Sequence, residues 1–132
     1  MKSQQEINFP VGIRAALLGA EKSTNKVKVG AALILHKSNR IIISCNNSKS
    51  SPGAVKWYKY YDQGMHAEYA LFNRSLLDDL PIRGTVYIAR RLANLATGLA
   101  RPCKACRTML VDLGIRSVVY TDYNNTYIEE RL

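Results

Sequence analysis

The sequence has little acidic charge, few cysteines and no long apolar run. Its 132 residues contain ten Asp and Glu against 19 Lys and Arg, which gives a formal net charge of +9. So basic a surface disfavours a cationic substrate and favours phosphate-bearing partners, either nucleotides or nucleic acid. Excess charge that only keeps the protein soluble would look the same, so charge narrows the class of partner without identifying one.

The lack of long apolar runs and the small number of cysteines argue against a membrane-spanning protein and against a disulfide-rich secreted one. No stretch approaches the roughly 18 consecutive apolar residues that cross a bilayer, and the first residues, MKSQQEINF, lack the apolar core of a secretory signal. We therefore expect a cytoplasmic protein with no membrane partner. Its three cysteines are too few and odd in number for a disulfide framework. The spacing of Cys103 and Cys106 is typical of a metal site or a redox pair.

Predicted helices and strands alternate along the chain. Apolar periodicity predicts helices over 10–22, 65–77 and 103–113, and β-rich runs predict strands over 27–36, 41–45, 85–89 and 116–121. The tail after them is expected to form one short helix. Elements in this order usually place helices on both faces of a sheet, so we predict an α/β fold, a three-layer α/β/α sandwich. Length, a 47% hydrophobic content and the lack of repeats predict a single domain over residues 1–132.

A long polar stretch, 46–64, separates the first hairpin from the second predicted helix. Loops of this length in a compact domain usually bind something or form a lid. Its aromatic and basic cluster 57–61 (WYKYY) would either stack bases or pack in a core or subunit contact. We favour packing or an oligomer interface, because a small pocket needs one aromatic ring and not four.

Two short motifs contain the residue types of a catalytic metal site. His66 and Glu68 form an H-x-E motif, and Pro102 precedes Cys103 and Cys106 in a P-C-x-x-C motif. One imidazole and two thiolates suit zinc, and a fourth position left open would hold a water whose pKa the metal lowers to about 7. Both motifs begin predicted helices, so the two helix starts would meet around one ion. Glu68 would then hold that water and move its proton.

Each motif alone allows another interpretation. H-x-E occurs by chance in many proteins, and C-x-x-C alone would suit a thioredoxin-like redox pair. A non-catalytic binding module that keeps zinc only for folding is a further alternative. Glu68 disfavours that module, as does the lack of a nearby fourth Cys or His to close the coordination shell.

In these motifs the chain resembles the zinc-dependent cytidine deaminase superfamily, whose signature is H-x-E followed by P-C-x-x-C. The order of predicted elements is similar over nearly the whole chain. The resemblance implies a five-stranded mixed sheet between helices, with His66, Cys103 and Cys106 binding zinc. It also implies that Glu68 is the general acid/base of a hydrolase that releases ammonia from a cyclic amidine. Such deaminases are generally oligomeric, so a homo-oligomer is expected.

Within the superfamily, the segment Ile43–Asn46 followed by Lys49 is most similar to the deoxycytidylate deaminase branch, including its short phage-type members. This resemblance implies that Asn46 contacts the sugar or nearby nucleotide groups. An Asx-type turn at a strand end is the alternative for that residue. Lys49 and Ala67 are further candidate substrate contacts.

Three arginines near the cysteine motif are candidate phosphate partners. Arg90, Arg91 and Arg101 carry guanidinium groups that pair well with phosphate, although ordinary surface arginines are an equal alternative. Arg101, the nearest to the cysteines, is the one we place in the substrate site. Cys45 and His36 are not assigned to the metal.

The leading functional hypothesis is hydrolytic deamination of a cytosine nucleotide, dCMP, CMP or a related nucleoside, to the uracil form. The second is a deaminase that acts on cytosine or adenine in RNA or single-stranded DNA, which the charge of +9 and the aromatic cluster would suit. Against the second, the chain has no obvious extra module to hold a strand.

Overall fold

A mixed β-sheet forms the centre of the molecule in the computed structural model, which describes residues 8–47, 66–72, 74–77 and 80–132. Its strands are β1 Lys28–Leu35, β2 Ile41–Cys45, β3 Gly84–Arg91, β4 Thr97–Gly98, β5 Ser117–Asp122 and β6 Thr126–Arg131. Their order across the sheet is β2-β1-β3-β5-β6, and the two-residue β4 pairs with β3. The β3–β5 pair is parallel, whereas the other pairs are antiparallel.

Helices cover both faces of this sheet. They are α1 Val11–Lys22, α2 Ala67–Ala70, α3 Arg74–Leu77 and α4 Lys104–Asp112. One core cluster joins Ile13 and Leu17 of α1 to the sheet, and a second joins Leu71, Met109 and Leu110 to its other face. The three-layer α/β/α prediction is therefore confirmed. The sheet has six strands where the resemblance implied five, because the two-residue β4 is added to it.

Alternation along the strands assigns side chains to the two layers. Val86 and Ile88 of β3 pack in the cluster below α4, whereas Ala89 packs in the cluster with α1. Val118 and Val119 of β5 divide in the same way, since successive side chains of a strand point to opposite faces. The strands buried on both faces therefore have nearly continuous apolar runs in the sequence.

Helix α1 packs directly on the backbone of β1 at a glycine. A Cβ atom on Gly30 would lie 1.9 Å from the carbonyl oxygen of Ala16 and 2.3 Å from the backbone nitrogen of Ala20. Because no side chain fits in that gap, glycine at this position permits the close approach of helix and strand. The helix prediction over 10–22 is confirmed to within one residue.

The prediction of a short helix in the tail is wrong, because the tail forms the edge strand β6. Asn124 and Asn125 both have φ of 60°, the left-handed region that asparagine tolerates and that tight hairpin turns require. Their turn directs Thr126–Arg131 back along β5, with Ser117 opposite Arg131 and Asp122 opposite Thr126. The exposed side chains of β6 have no apolar alternation, so pairing and not periodicity makes it a strand.

The helical segment predicted over 65–77 is also shorter than expected. Two single-turn helices, α2 and α3, occupy it in the described residues. The predicted helix 103–113 is α4, with Cys103 as its N-cap. Of the helices in the described ranges, none has the length and apolar character needed to cross a membrane.

Candidate metal centre and active site

The cysteine motif is placed at the start of α4. Cys103 is the N-cap residue, and its Sγ accepts a hydrogen bond of 3.4 Å from the backbone nitrogen of Cys106. In this bond a sulfur takes the place of the oxygen acceptor of an ordinary N-cap, and the Cys103 sulfur lies at the positive end of the helix dipole. The helix start therefore favours the thiolate form of Cys103, which is the form that binds a metal.

His66 brings the third donor from the start of α2. Its Nδ1 lies 3.6 Å from Sγ of Cys103 and 3.4 Å from Sγ of Cys106. The three ligand atoms all lie within 4.8 Å of one another. Tetrahedral zinc with bonds of about 2.3 Å to sulfur and about 2.0 Å to nitrogen places these atoms roughly 3.5 Å apart. The donor set thus has both the chemistry and the spacing that zinc requires.

The two thiols are free and electrostatically different. A hydrogen bond with Cys106, aided by His66, lowers the pKa of Cys103 to about 4. The same bond, together with burial, raises the pKa of Cys106. A redox pair needs only the two sulfurs, whereas an imidazole nitrogen close to both of them completes a three-donor set for a metal, so this geometry favours the metal.

Glu68 is the second residue of α2 and is almost fully buried, with 5% of its surface exposed. Burial raises the pKa of its carboxyl group, because the charged form loses solvation. The preceding Ala67 is fully buried, and its carbonyl oxygen accepts a 2.6 Å hydrogen bond from Oγ of Ser44. That bond ties the start of α2 to the end of β2.

A cavity of about 520 Å³ opens beside this group, near the C-terminal end of β3. His66, Glu68 and Cys103 line it together with Ala67. Its size lies in the range of small-molecule sites, and the C-terminal ends of parallel strands are where such sites form in α/β sheets. The cavity therefore places a small molecule against both the metal ligands and a buried carboxyl group.

Asn46 lines the cavity, but its amide also braces the neighbouring backbone. Its Oδ1 accepts hydrogen bonds from the backbone nitrogen of Val29, at 3.1 Å, and from Oγ of Ser23, at 2.6 Å. Its Nδ2 donates to the carbonyl oxygen of Val27 at 2.7 Å. The Asn46 side chain therefore fixes the backbone at the start of β1, at the edge of the cavity.

The three candidate arginines lie in different environments. Arg90 and Arg101 line the cavity. Arg91 is next to Arg90 on the strand and points to the other face, where its side chain is 6% exposed. Its guanidinium group donates to the carbonyl oxygen of Leu95 and lies 3.5 Å from Glu21. Arg101 is 58% exposed and lies 3.4 Å from a carboxylate oxygen of Glu130.

Sequence reasoning missed two polar side chains of this cavity, Asn25 and Asn47. Asn25 lies in the segment that only signalled a helix end, and Asn47 follows Asn46 without a motif of its own. Lys49 and the aromatic cluster 57–61 lie outside the described residues. Cys45 and His36 stand apart from the metal ligands in the part of the chain that the structure describes.

Comparison with known proteins relates this site to one family. The family model for the cytidine and deoxycytidylate deaminase zinc-binding region matches residues 9–122 of the chain. A search of curated protein sequences gave no significant match. The match spans both motifs and all the strands from β1 to β5.

Solved structures are similar over most of the chain. The cytidine deaminase from Burkholderia pseudomallei has a TM-score of 0.67 and 25% sequence identity, and the alignment covers 92% of this chain and 90% of that one. The cytidine deaminase from Mycobacterium tuberculosis has a TM-score of 0.55 at 19% identity, covering 86% of each chain. A mutant of that enzyme has the same TM-score and identity and covers 86% of this chain and 87% of that one. At 19% identity, these two similarities concern the fold alone.

Proposed function

Since the chain belongs to the family defined by the cytidine and deoxycytidylate deaminase zinc-binding region, we propose that it converts a cytosine nucleotide or nucleoside to its uracil form. One observation carries this proposal: His66, Cys103 and the buried Glu68 line a single cavity of small-molecule size. The reaction consumes one water, forms a C–O bond at the amine-bearing ring carbon, breaks the C–N bond and releases ammonia.

The metal ligands and the carboxyl group have separate roles. His66, Cys103 and Cys106 would hold zinc, which would supply Lewis acidity toward a water molecule. Glu68 accepts one proton from the attacking water and delivers it to the ring nitrogen. It then carries the remaining proton of the new hydroxyl group to the departing amine, so that a carbonyl group forms as ammonia leaves. Because burial raises the pKa of Glu68, its carboxyl group holds a proton closer to neutral pH than a solvated one does.

We propose a monophosphate, dCMP or CMP, as the preferred substrate. Arg90 and Arg101 at the cavity supply cationic groups that suit a phosphate. Asn25 and Asn47 supply amides that suit the sugar hydroxyls, and Asn46 offers the second N–H of its Nδ2, since the first donates to Val27. Lys49, near Asn46 in the sequence, is proposed as a further phosphate partner.

The net charge of +9 supports one alternative, deamination of cytosine or adenine within RNA or single-stranded DNA. Binding through several phosphates would weaken steeply as salt rises, whereas a mononucleotide contacts few charges. The salt dependence of KM therefore distinguishes the two substrates.

Exposed apolar side chains on α1 and the edge strand β2 support the homo-oligomer that we also propose. Val11, Leu18, Ile41 and Ile43 are each more than two fifths exposed. Size-exclusion chromatography with light scattering tests the assembly directly, and a monomer at micromolar concentration would contradict it.

The function is tested by ammonia release from zinc-loaded protein with cytosine, cytidine, deoxycytidine, CMP, dCMP, cytosine-containing oligonucleotides and the adenine counterparts. Chelator-treated protein is the control. We expect turnover of cytosine monophosphates with slower turnover of the nucleosides. Activity on oligonucleotides alone would favour the alternative, and a lack of ammonia release from every compound would contradict deamination.

A further inference from the structure

The carboxylate of Glu130 on β6 joins three side chains near the metal centre. One oxygen, Oε1, contacts Nη1 of Arg107 and lies 3.4 Å from Nη2 of Arg101. The other, Oε2, accepts a 2.8 Å hydrogen bond from the hydroxyl of Tyr120. All three contacts converge on one side chain that is 19% exposed.

The two arginines flank the cysteine motif. Arg101 precedes Cys103 by two residues, and Arg107 follows Cys106 directly. Glu130 therefore contacts both ends of the segment 101–107 that contains the two sulfur ligands. Glu130 pairs with Val118, whose side chain packs in the core below α4, so its carboxylate lies on the α4 face of the sheet.

The charges and hydrogen bonds around Glu130 favour the ionised form of its carboxyl group. Hydrogen bonds from Arg107 and Tyr120 lower the pKa of Glu130 to about 2, so the group is ionised throughout the neutral range. An exposed ion pair to Arg101 alone would contribute little. A carboxylate shared by two guanidinium groups and a phenol is more restrained than a single exposed pair, because each contact limits the rotamers available to the others.

We propose that Glu130 is a positioning residue of the metal centre, which holds Arg101 and Arg107 so that Cys103 and Cys106 stay close enough to His66 for all three to bind one metal ion. The inference rests on the zinc-dependent function proposed above. The contacts of Glu130 described above are with Arg101, Arg107 and Tyr120 and not with the three metal ligands, so it acts through the backbone of the segment 101–107. Partners that orient metal ligands commonly change metal affinity by 10- to 100-fold when removed, and for Glu130 we expect the lower end, about tenfold.

The test is a titration of the metal-free full chain with Co²⁺. Binding is monitored by the thiolate-to-cobalt charge-transfer absorption, and the affinity is measured by competition with a chelator. Glu130→Gln keeps the size of the side chain and removes its charge. Glu129→Gln is the matched control, since it makes the same charge change one residue away on the opposite face of β6. We expect about tenfold weaker Co²⁺ binding and a shifted band for Glu130→Gln, and no change for Glu129→Gln.

A double-mutant cycle with Arg107→Gln tests the route of the effect. If Glu130 acts through Arg107, the second substitution adds little to the first. Equal Co²⁺ affinity in Glu130→Gln and the original protein would overturn the positioning role and leave the proposed function intact. Failure of the original protein to bind Co²⁺ through thiolates would overturn both. Should Glu130→Gln fold poorly, Tyr120→Phe removes one contact to the carboxylate, and unchanged Co²⁺ affinity together with an unchanged band would overturn the role.

Discussion

Nδ1 of His66 lies 3.4 Å from Sγ of Cys106, although the two residues are 40 positions apart in the sequence. The contact joins the start of α2 to the first turn of α4, and both helices pack on the same face of the sheet. Between them the chain forms β3, which lies beneath both. The metal ligands are therefore brought together by the packing of two helix starts over one strand.

Replacing Glu68 by Gln should slow turnover strongly and preserve zinc. The amide keeps the shape of the buried side chain but does not exchange a proton, so we expect a loss of about 10²- to 10⁴-fold in kcat. Ammonia release and zinc content, measured on the same preparation, check this. Full turnover with zinc bound would contradict the proton-transfer role.

Cys103→Ser and Cys106→Ser should each lose zinc, while Cys45→Ser should retain it. The first two remove a thiolate from the donor set, whereas Cys45 lies on β2 outside it. Metal content by atomic spectroscopy and Tm with and without chelator give the answer, because a ligand that binds the folded state stabilises it. Zinc loss in the Cys45 variant would assign the metal to a different group.

Gly30→Ala should destabilise the fold by about 1–3 kcal/mol, since its Cβ would lie 1.9 Å from the carbonyl oxygen of Ala16 and force α1 away from β1. Urea unfolding followed by circular dichroism measures the change. Lys22→Ala, at the exposed end of α1, is the control and should change the free energy of unfolding by less than about 0.5 kcal/mol. Equal stability of the Gly30 variant and the original protein would show that helix and strand separate at little cost.

Arg90→Gln should impair the use of monophosphates more than that of nucleosides. A hydrogen bond to a charged group contributes about 1.5–3 kcal/mol, which corresponds to roughly 10- to 100-fold in kcat/KM. The same change at Arg101 should have a smaller effect, because its guanidinium lies beside Glu130. Arg116→Gln, at the opposite end of the sheet, is the control, and equal losses for nucleotide and nucleoside would count against a phosphate contact.

The stability contributed by Glu130 should depend on pH. Its pKa in the folded protein is about 2, below the ordinary value of 4.5, so ionisation favours folding. The contribution is fully present above pH 4.5 and is lost as the pH falls from there toward 2. The difference in Tm between the original protein and Glu130→Gln, both metal-free, should shrink over that interval. A difference that stays constant with pH would contradict the ionised contact.

Much of the fold was predictable because the spacing of apolar residues along the sequence indicates which segments form buried helices and strands. Helix α1 and strands β1, β2, β3 and β5 lie within a few residues of their predicted bounds. Strand β6 was not, since its side chains are mostly exposed and its conformation depends on pairing with β5. The asparagine pair Asn124 and Asn125 is the sequence feature that indicates β6, because it favours a hairpin turn between two strands.

The sequence by itself determined the donor set and the general class of chemistry. An imidazole, two thiols and a carboxyl group in these two motifs predict a zinc site with a proton carrier, because donor chemistry belongs to the residue types and local spacing sets their position on a helix start. Tertiary structure alone decided the rest. It placed the side chains of Arg90 and Arg91 on opposite faces of β3. It also bonded the Asn46 side chain to the backbone at the start of β1 and brought Glu130 into contact with Arg107 beside the cysteines. These contacts join residues far apart in the chain, and no local pattern encodes them.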